Sequence, residues 1–187
     1  MAIKIFIDQG HNPGYINAGT SGYGLTEAQI TYQVGVYLSE MLLRDGRFEV
    51  RLSRRFPEEV LGFNQSSSLA ERVQRANDWP ADYFVSIHVN YNVNPVINGT
   101  EVYVYQTNSQ AYYLAQHVLN SIVATVGTRD NLVRTNPSLY VLRRTEMPAI
   151  LVELAYLSNP SDAEKLRDDQ YEFAYGIYAG MLSYFGL

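Results

Sequence analysis

The sequence predicts an α/β domain: a mixed, mostly parallel sheet of about six strands with helices on both faces. Three observations carry this. Short apolar runs alternate with stretches whose apolar residues recur at helical spacing. Ser and Thr stand in front of those helical stretches, with Glu or Gln three residues later. The 187 residues contain no internal repeat and no low-complexity linker, so residues 1–187 are expected to form one domain.

In order, residues 3–7 are apolar except for Lys4 and lead to Asp8, a pattern for a buried strand. Residues 10–24 are rich in Gly, Asn, Pro and Ser and predict a loop. Thr26 and Gln29 form a capping box, followed by the stripe Ile30, Val34, Leu38, Met41 and Leu42. Glu27 then falls in the first helical turn, where the helix dipole favours a carboxylate. Phe48, Val50 and Leu52 alternate with polar residues, as in a half-exposed strand. Residues 54–67 predict a polar loop. Ser68 and Glu71 predict a second capping box, for a helix carrying Leu69, Val73 and Ala76 to about Asp78.

Residues 82–90 predict a strand with Phe84, Ser86, His88 and Asn90 on one face and Val85, Ile87 and Val89 on the other. A further strand is expected over 100–106. A helix capped by Ser109 follows, with Leu114, Val118, Ile122 and Val126 inward. Residues 127–138 are polar and predict a loop. Residues 139–142 and 149–154 predict two strands. Ser161 with Glu164, and Asp169 with Glu172, predict the starts of two closing helices.

The composition excludes several functions. Fourteen Lys and Arg against 19 Asp and Glu give a formal net charge of −5, which argues against a nucleic-acid footprint. With no cysteine there is no disulfide framework, thiolate nucleophile or cysteine-bound zinc. No apolar run approaches the ~18 residues of a transmembrane helix, so no membrane insertion is expected. The first residues enter a strand without a basic leader or cleavage site. That predicts synthesis in the cytoplasm with action on the outside after lysis or release by a holin, or in a mother-cell compartment; export as part of a longer precursor also fits. Several of the 16 tyrosines are expected at core edges or along a groove.

Two of the three histidines, His11 and His88, end or follow apolar strands, where open α/β sheets gather ligands. Glu27 and Glu153 hold comparable positions. Two His and one Glu form a known catalytic zinc set, and the second Glu would be its general base. Each residue also has a plainer reading. A lone histidine at a strand end is commonly structural, and Glu153 could pair with Arg143 or Arg144. His117 reads as a surface histidine, Arg72, Arg75 and Asn77 as a structural hydrogen-bonding set, and Asn98-Gly99-Thr100 as a turn.

The assembled segments resemble the zinc-dependent N-acetylmuramoyl-L-alanine amidases of the Amidase_3 family over nearly the whole chain. Ile7-Asp8-Gln9-Gly10-His11 is similar to the family's opening strand and first zinc histidine, and Gly22 to Glu27 to the segment of the zinc glutamate. Residues 69–77 with 81–90 resemble the middle block, which ends in the second zinc histidine, His88. Gly99-Thr100-Glu101-Val102-Tyr103 resembles the next strand, and 139–142 with 147–153 the closing block with its catalytic carboxylate, Glu153. Leu157-Ser158-Asn159 and Asp162 resemble the tail motif. The resemblance implies one zinc ion on His11, Glu27 and His88, with Glu153 catalytic. It also implies a peptidoglycan substrate cut between N-acetylmuramic acid and L-alanine. Asn12-Pro13-Gly14 stands where the family often has a second glycine, which predicts a reshaped loop beside an intact ligand set. No cell-wall-binding domain is recognisable. Two rivals are a zinc carboxypeptidase or endopeptidase on a similar scaffold and a non-catalytic glycan-binding module.

Overall fold

A computed structural model describes residues 2–187. Its centre is a six-stranded sheet in the order β4-β1-β5-β8-β6-β7. The strands are β1 (Ile3–Gln9), β4 (Phe48–Leu52), β5 (Tyr83–Asn90), β6 (Thr100–Val104), β7 (Asp130–Thr135) and β8 (Ala149–Tyr156). β4, β1, β5 and β8 run parallel; β6 lies antiparallel to β8 and carries β7 parallel to itself. The expected mixed, mostly parallel sheet is therefore present. A two-residue hairpin, β2 (Ser21–Gly22) with β3 (Leu25–Thr26), sits inside the Gly-rich loop.

The two faces of the sheet are covered unequally. On one face Ile5, Ile7, Val85, Ile87, Val102, Ile150 and Val152 join the large core. Helices α1 (Glu27–Asp45), α3 (Gln110–Val126) and α6 (Gln170–Phe185) pack over them, and α5 (Pro160–Asp168) completes that side. On the other face Phe6, Phe84, Ala149 and Leu151 meet only α2 (Gln65–Asp78) and the short α4 (Tyr140–Arg144). Alternation along the strands puts Asp8, Ser86, His88, Glu101 and Glu153 on this thinly covered side, toward the carboxyl ends of β1, β5 and β8. The site thus follows from a strand period of two and from a shortage of helix above it.

Several boundaries differ from the sequence expectation, each for a local reason. Residues 140–144 form α4 and not a strand: after Pro137 and Leu139 the chain turns, and Val141 and Leu142 bury their side chains as one helical turn. The polar segment expected as a loop contains β7, an edge strand whose outer residues stay exposed because only β6 pairs with it. α2 starts one turn early: Asn64 caps it reciprocally with Ser67, while Ser68 is buried inside the helix and Glu71 accepts from Gly62 N–H. Asn159 caps α5, with Pro160 in its first turn. Asp169 does precede α6, but its side chain makes no cap bond. Thr26 and Ser109 cap α1 and α3 as expected.

Candidate metal centre and catalytic carboxylate

His11 stands just beyond β1, in the left-handed region at φ 64°. That is an uncommon backbone state for a side-chain-bearing residue and a form of strain that tends to gather at functional sites. Its Nδ1 lies 3.0 Å from the carbonyl of Asn17, so Nδ1–H donates there and Nε2 keeps its lone pair. Nε2 in turn lies 3.3 Å from Glu27 Oε1. Glu27 is buried in the first turn of α1. Its Oε2 accepts from Thr20 N–H at 3.0 Å and its Oε1 from Val89 N–H at 2.9 Å. His88, on β5, donates from Nδ1 to the same Oε1 at 3.1 Å.

One donor atom each from His11, Glu27 and His88 therefore falls in a cluster whose members are all within 4.8 Å of one another. Two glycines make room for it. A Cβ on Gly10 would come within 2.6–2.7 Å of the His88 ring, and one on Gly19 within 2.6–2.9 Å of Glu27 Oε2 and the His11 ring. Two imidazoles and a carboxylate, with His11 and Glu27 oriented by backbone groups and His88 by Glu27, fit a zinc ion.

The charges in the cluster are mutually dependent. Burial pushes the His11 pKa down, and neighbouring His88 adds to this against the pull of Glu27. Burial would push Glu27 up, but its hydrogen bond and charge interaction with His88 hold it below the usual carboxylate value. Burial would push His88 down, but the bond to Glu27 holds it up.

Glu153 lies one strand over from His88, its Cα paired in register with that of His88. It lines the same cavity of about 240 Å³ as His11 and His88, together with Leu69, Leu139 and Tyr140. Its Oε2 is sealed from solvent and has no hydrogen-bond partner. Burial pushes its pKa up to about 7, with Glu27 and Glu101 adding to burial and His88 opposing it. The ion pair with Arg143 or Arg144 is not formed; among the described residues neither arginine bonds a carboxylate. His117 is exposed, with its ring hydrogen-bonded to Ser183 and edge-on to Tyr184.

The family model described as N-acetylmuramoyl-L-alanine amidase matches residues 5–183. The chain belongs to that amidase family. It is 37% identical over 186 residues to the N-acetylmuramoyl-L-alanine amidase LytC of Bacillus subtilis, matching 97% of this chain and 35% of that protein. It is also 37% identical over 171 residues to the amidase CwlM of Bacillus licheniformis, matching 90% of this chain and 62% of that protein. The chain thus spans between about a third and three-fifths of these relatives. The catalytic domain of CwlV, the amidase of Bacillus (Paenibacillus) polymyxa var. colistinus, superposes with a TM-score of 0.85 at 30% identity, covering 98% of both chains.

Beneath the cluster of His11, Glu27 and His88 lies a layer only part of which was legible in the sequence. Arg72, fully buried on α2, donates to Asp8 Oδ1, to the carbonyls of Gln9 and His11, and to Asn12, all at 2.6–2.9 Å. Asp8 also accepts from Ser86 Oγ. Burial works against the Asp8 carboxylate, but the Arg72 charge prevails and holds it below its usual value. Arg72 thus clamps the end of β1 and the strained His11 backbone. Arg75 and Asn77 also serve structure, but elsewhere: Arg75 ties Ser53, Glu59 and Glu71, and Asn77 reaches Arg144 O. Glu101 escaped notice. It is buried on β6, its Cα directly paired with that of Glu153, and the strand pattern gave no sign that a second carboxylate would lie there.

Proposed function

We propose that residues 1–187 form the catalytic domain of a zinc-dependent amidase. Its substrate is the amide between the lactyl group of N-acetylmuramic acid and the L-alanine of the peptidoglycan stem peptide. His11, Glu27 and His88 would hold one zinc ion, and Glu153 is the catalytic carboxylate. The observation that carries this reading is Glu153 itself. A carboxylate with a sealed, unpartnered oxygen is costly to bury, and this one shares a cavity with His11 and His88, the two histidines that cluster with Glu27.

Zinc in that donor set supplies Lewis-acid polarisation of the amide carbonyl and acidifies a water toward a pKa of ~7. Glu153 removes the attacking water's proton; a pKa near neutrality suits a group that must first accept and then give up a proton. As the C–N bond breaks, Glu153 passes that proton to the departing alanine nitrogen, and the proton of the new lactyl carboxylic acid moves to the freed amine, leaving a carboxylate and an ammonium group. Asn17, Thr20 and Val89 keep the donor atoms aimed throughout. Arg72 and Asp8 keep the His11 backbone in its strained state.

Purified peptidoglycan incubated with zinc-loaded and chelator-stripped protein tests the reading. Intact stem peptides with an L-alanine amino terminus should appear with metal and return when zinc is restored. Peptides cut internally would move the activity to a zinc peptidase. The absence of any released product from zinc-loaded protein would favour a binding module.

A further inference from the structure

Glu101 holds an unusual share of the donors around the site. Its Oε1 accepts from Asn90 Nδ2 at 2.5 Å and from the hydroxyls of Tyr103 and Tyr156, both at 3.1 Å. Its Oε2 takes Arg134 Nε at 2.8 Å. Three donors, from β5, β6 and β8, thus converge on its Oε1, and Arg134 of β7, whose Nε–H donates to the Asn131 carbonyl, pairs by charge with its Oε2, while Glu153 Oε2 receives no donor. The two glutamates are direct partners across the antiparallel β6–β8 pair. Their side chains share a face, with Cβ atoms about 4.5–5.5 Å apart.

That arrangement leaves a hazard. The Arg134 side chain is half exposed and comes from an edge strand, so it has freedom to move. Its guanidinium sits on Glu101, the residue directly paired across the strands with the unpartnered Glu153. An arginine fork on Glu153 would occupy the lone pairs needed for the proton, since arginine–carboxylate pairs bond through two parallel hydrogen bonds. We propose that Glu101 is a positioning residue that holds Arg134 off Glu153 and so keeps the catalytic carboxylate free. Three donors occupy its Oε1 and the Arg134 charge faces its Oε2, so its assigned role is to hold that charge and not to transfer a proton. The inference rests on the amidase reading of the same site.

Glu101→Gln removes the charge that holds Arg134 but preserves the acceptor for Asn90 and the two tyrosines. In the zinc-loaded protein it should lower turnover on purified peptidoglycan, read as newly formed amino-terminal L-alanine, by about tenfold or more. Zinc content should stay at one per chain. Adding Arg134→Gln to that variant should restore turnover to within about threefold of wild type, and Arg134→Gln alone should cost no more than about threefold. A purely structural role for Glu101 gives no such rescue. A fully active Glu101→Gln, a double variant as slow as Glu101→Gln, or a large loss from Arg134→Gln alone each overturns the proposal. If circular dichroism shows Glu101→Gln unfolded, Glu101→Asp takes its place. It keeps the charge and draws Arg134 away, so activity should persist, and a loss beyond about tenfold contradicts the proposal. Failure of the amidase reading shows separately, as a wild-type chain that releases no amino-terminal L-alanine.

Discussion

Glu153 and His88 occupy partnered positions on adjacent strands, yet removing them should have opposite consequences. His88→Ala removes a donor from the cluster and should lose zinc and activity together, checked by metal analysis beside the product assay. Glu153→Gln removes only the proton acceptor, and it should also stabilise the metal-free protein. The folded Glu153 has a pKa of about 7, above its ordinary 4.5. Folding therefore takes up a proton between those values, and stability falls as pH rises from the lower to the higher. The variant should gain up to about 3 kcal/mol, or roughly 6–12 °C, at pH 8 and nothing at pH 4, measured by calorimetry in chelator. Equal melting at both pH values would show that the carboxylate is not strained. Asp8 has the reverse sign: its pKa is depressed, so its contribution is present above the unfolded value and lost as acid titrates the folded one. Asp8→Asn leaves Arg72 buried and unpaired and should cost about 3–5 kcal/mol at neutral pH in denaturant melts. His11, His88 and Glu153 were legible because polar groups at or just beyond apolar strands are conspicuous, and Glu27 because it opens a capped helix. Glu101 was not, since its neighbours on β6 alternate in the ordinary way and its significance lies wholly in what it faces.

At the scale of elements, α6 and α3 pack so closely that glycine is required at the contact. A Cβ on Gly180 would lie 2.5 Å from Val118 Cα, and one on Gly176 2.8 Å from Ile122 Cα. Gly180→Ala should therefore destabilise by about 1–3 kcal/mol, since the atoms it meets are backbone and cannot give way. It should leave zinc binding intact, because α6 covers the face of the sheet opposite the site. A thermal melt with metal analysis checks both. The long helices and the buried strands could be read from periodicity and caps. The elements that escaped are those where local pattern is weakest. α4 is too short to show a helical period, and its alternating Leu139 and Val141 imitate a strand. β7 is polar because it is an edge, and only its pairing with β6 makes it a strand.

For the whole molecule, the unequal cover of the sheet is the organising fact. Three long helices bury one face, while two shorter ones leave the upper part of the other open where four strands deliver Asp8, His88, Glu101 and Glu153. Zinc binding to the folded state alone should raise the melting temperature with metal concentration, by mass action. A melting temperature unmoved by zinc would mean that the three donors do not act together. Family membership and overall architecture were accessible from the order of the segments; the packing around Glu153 was not, because it depends on a β6 that runs backward. The most direct test of the account is to load Glu153→Gln with zinc and measure its metal content and its hydrolysis of peptidoglycan side by side. One zinc per chain with turnover lowered by about a thousandfold or more is the expected result, in the range of losing an essential acid–base group. Wild-type turnover, or failure to bind zinc, would contradict the assignment of binding to His11, Glu27 and His88 and of proton transfer to Glu153.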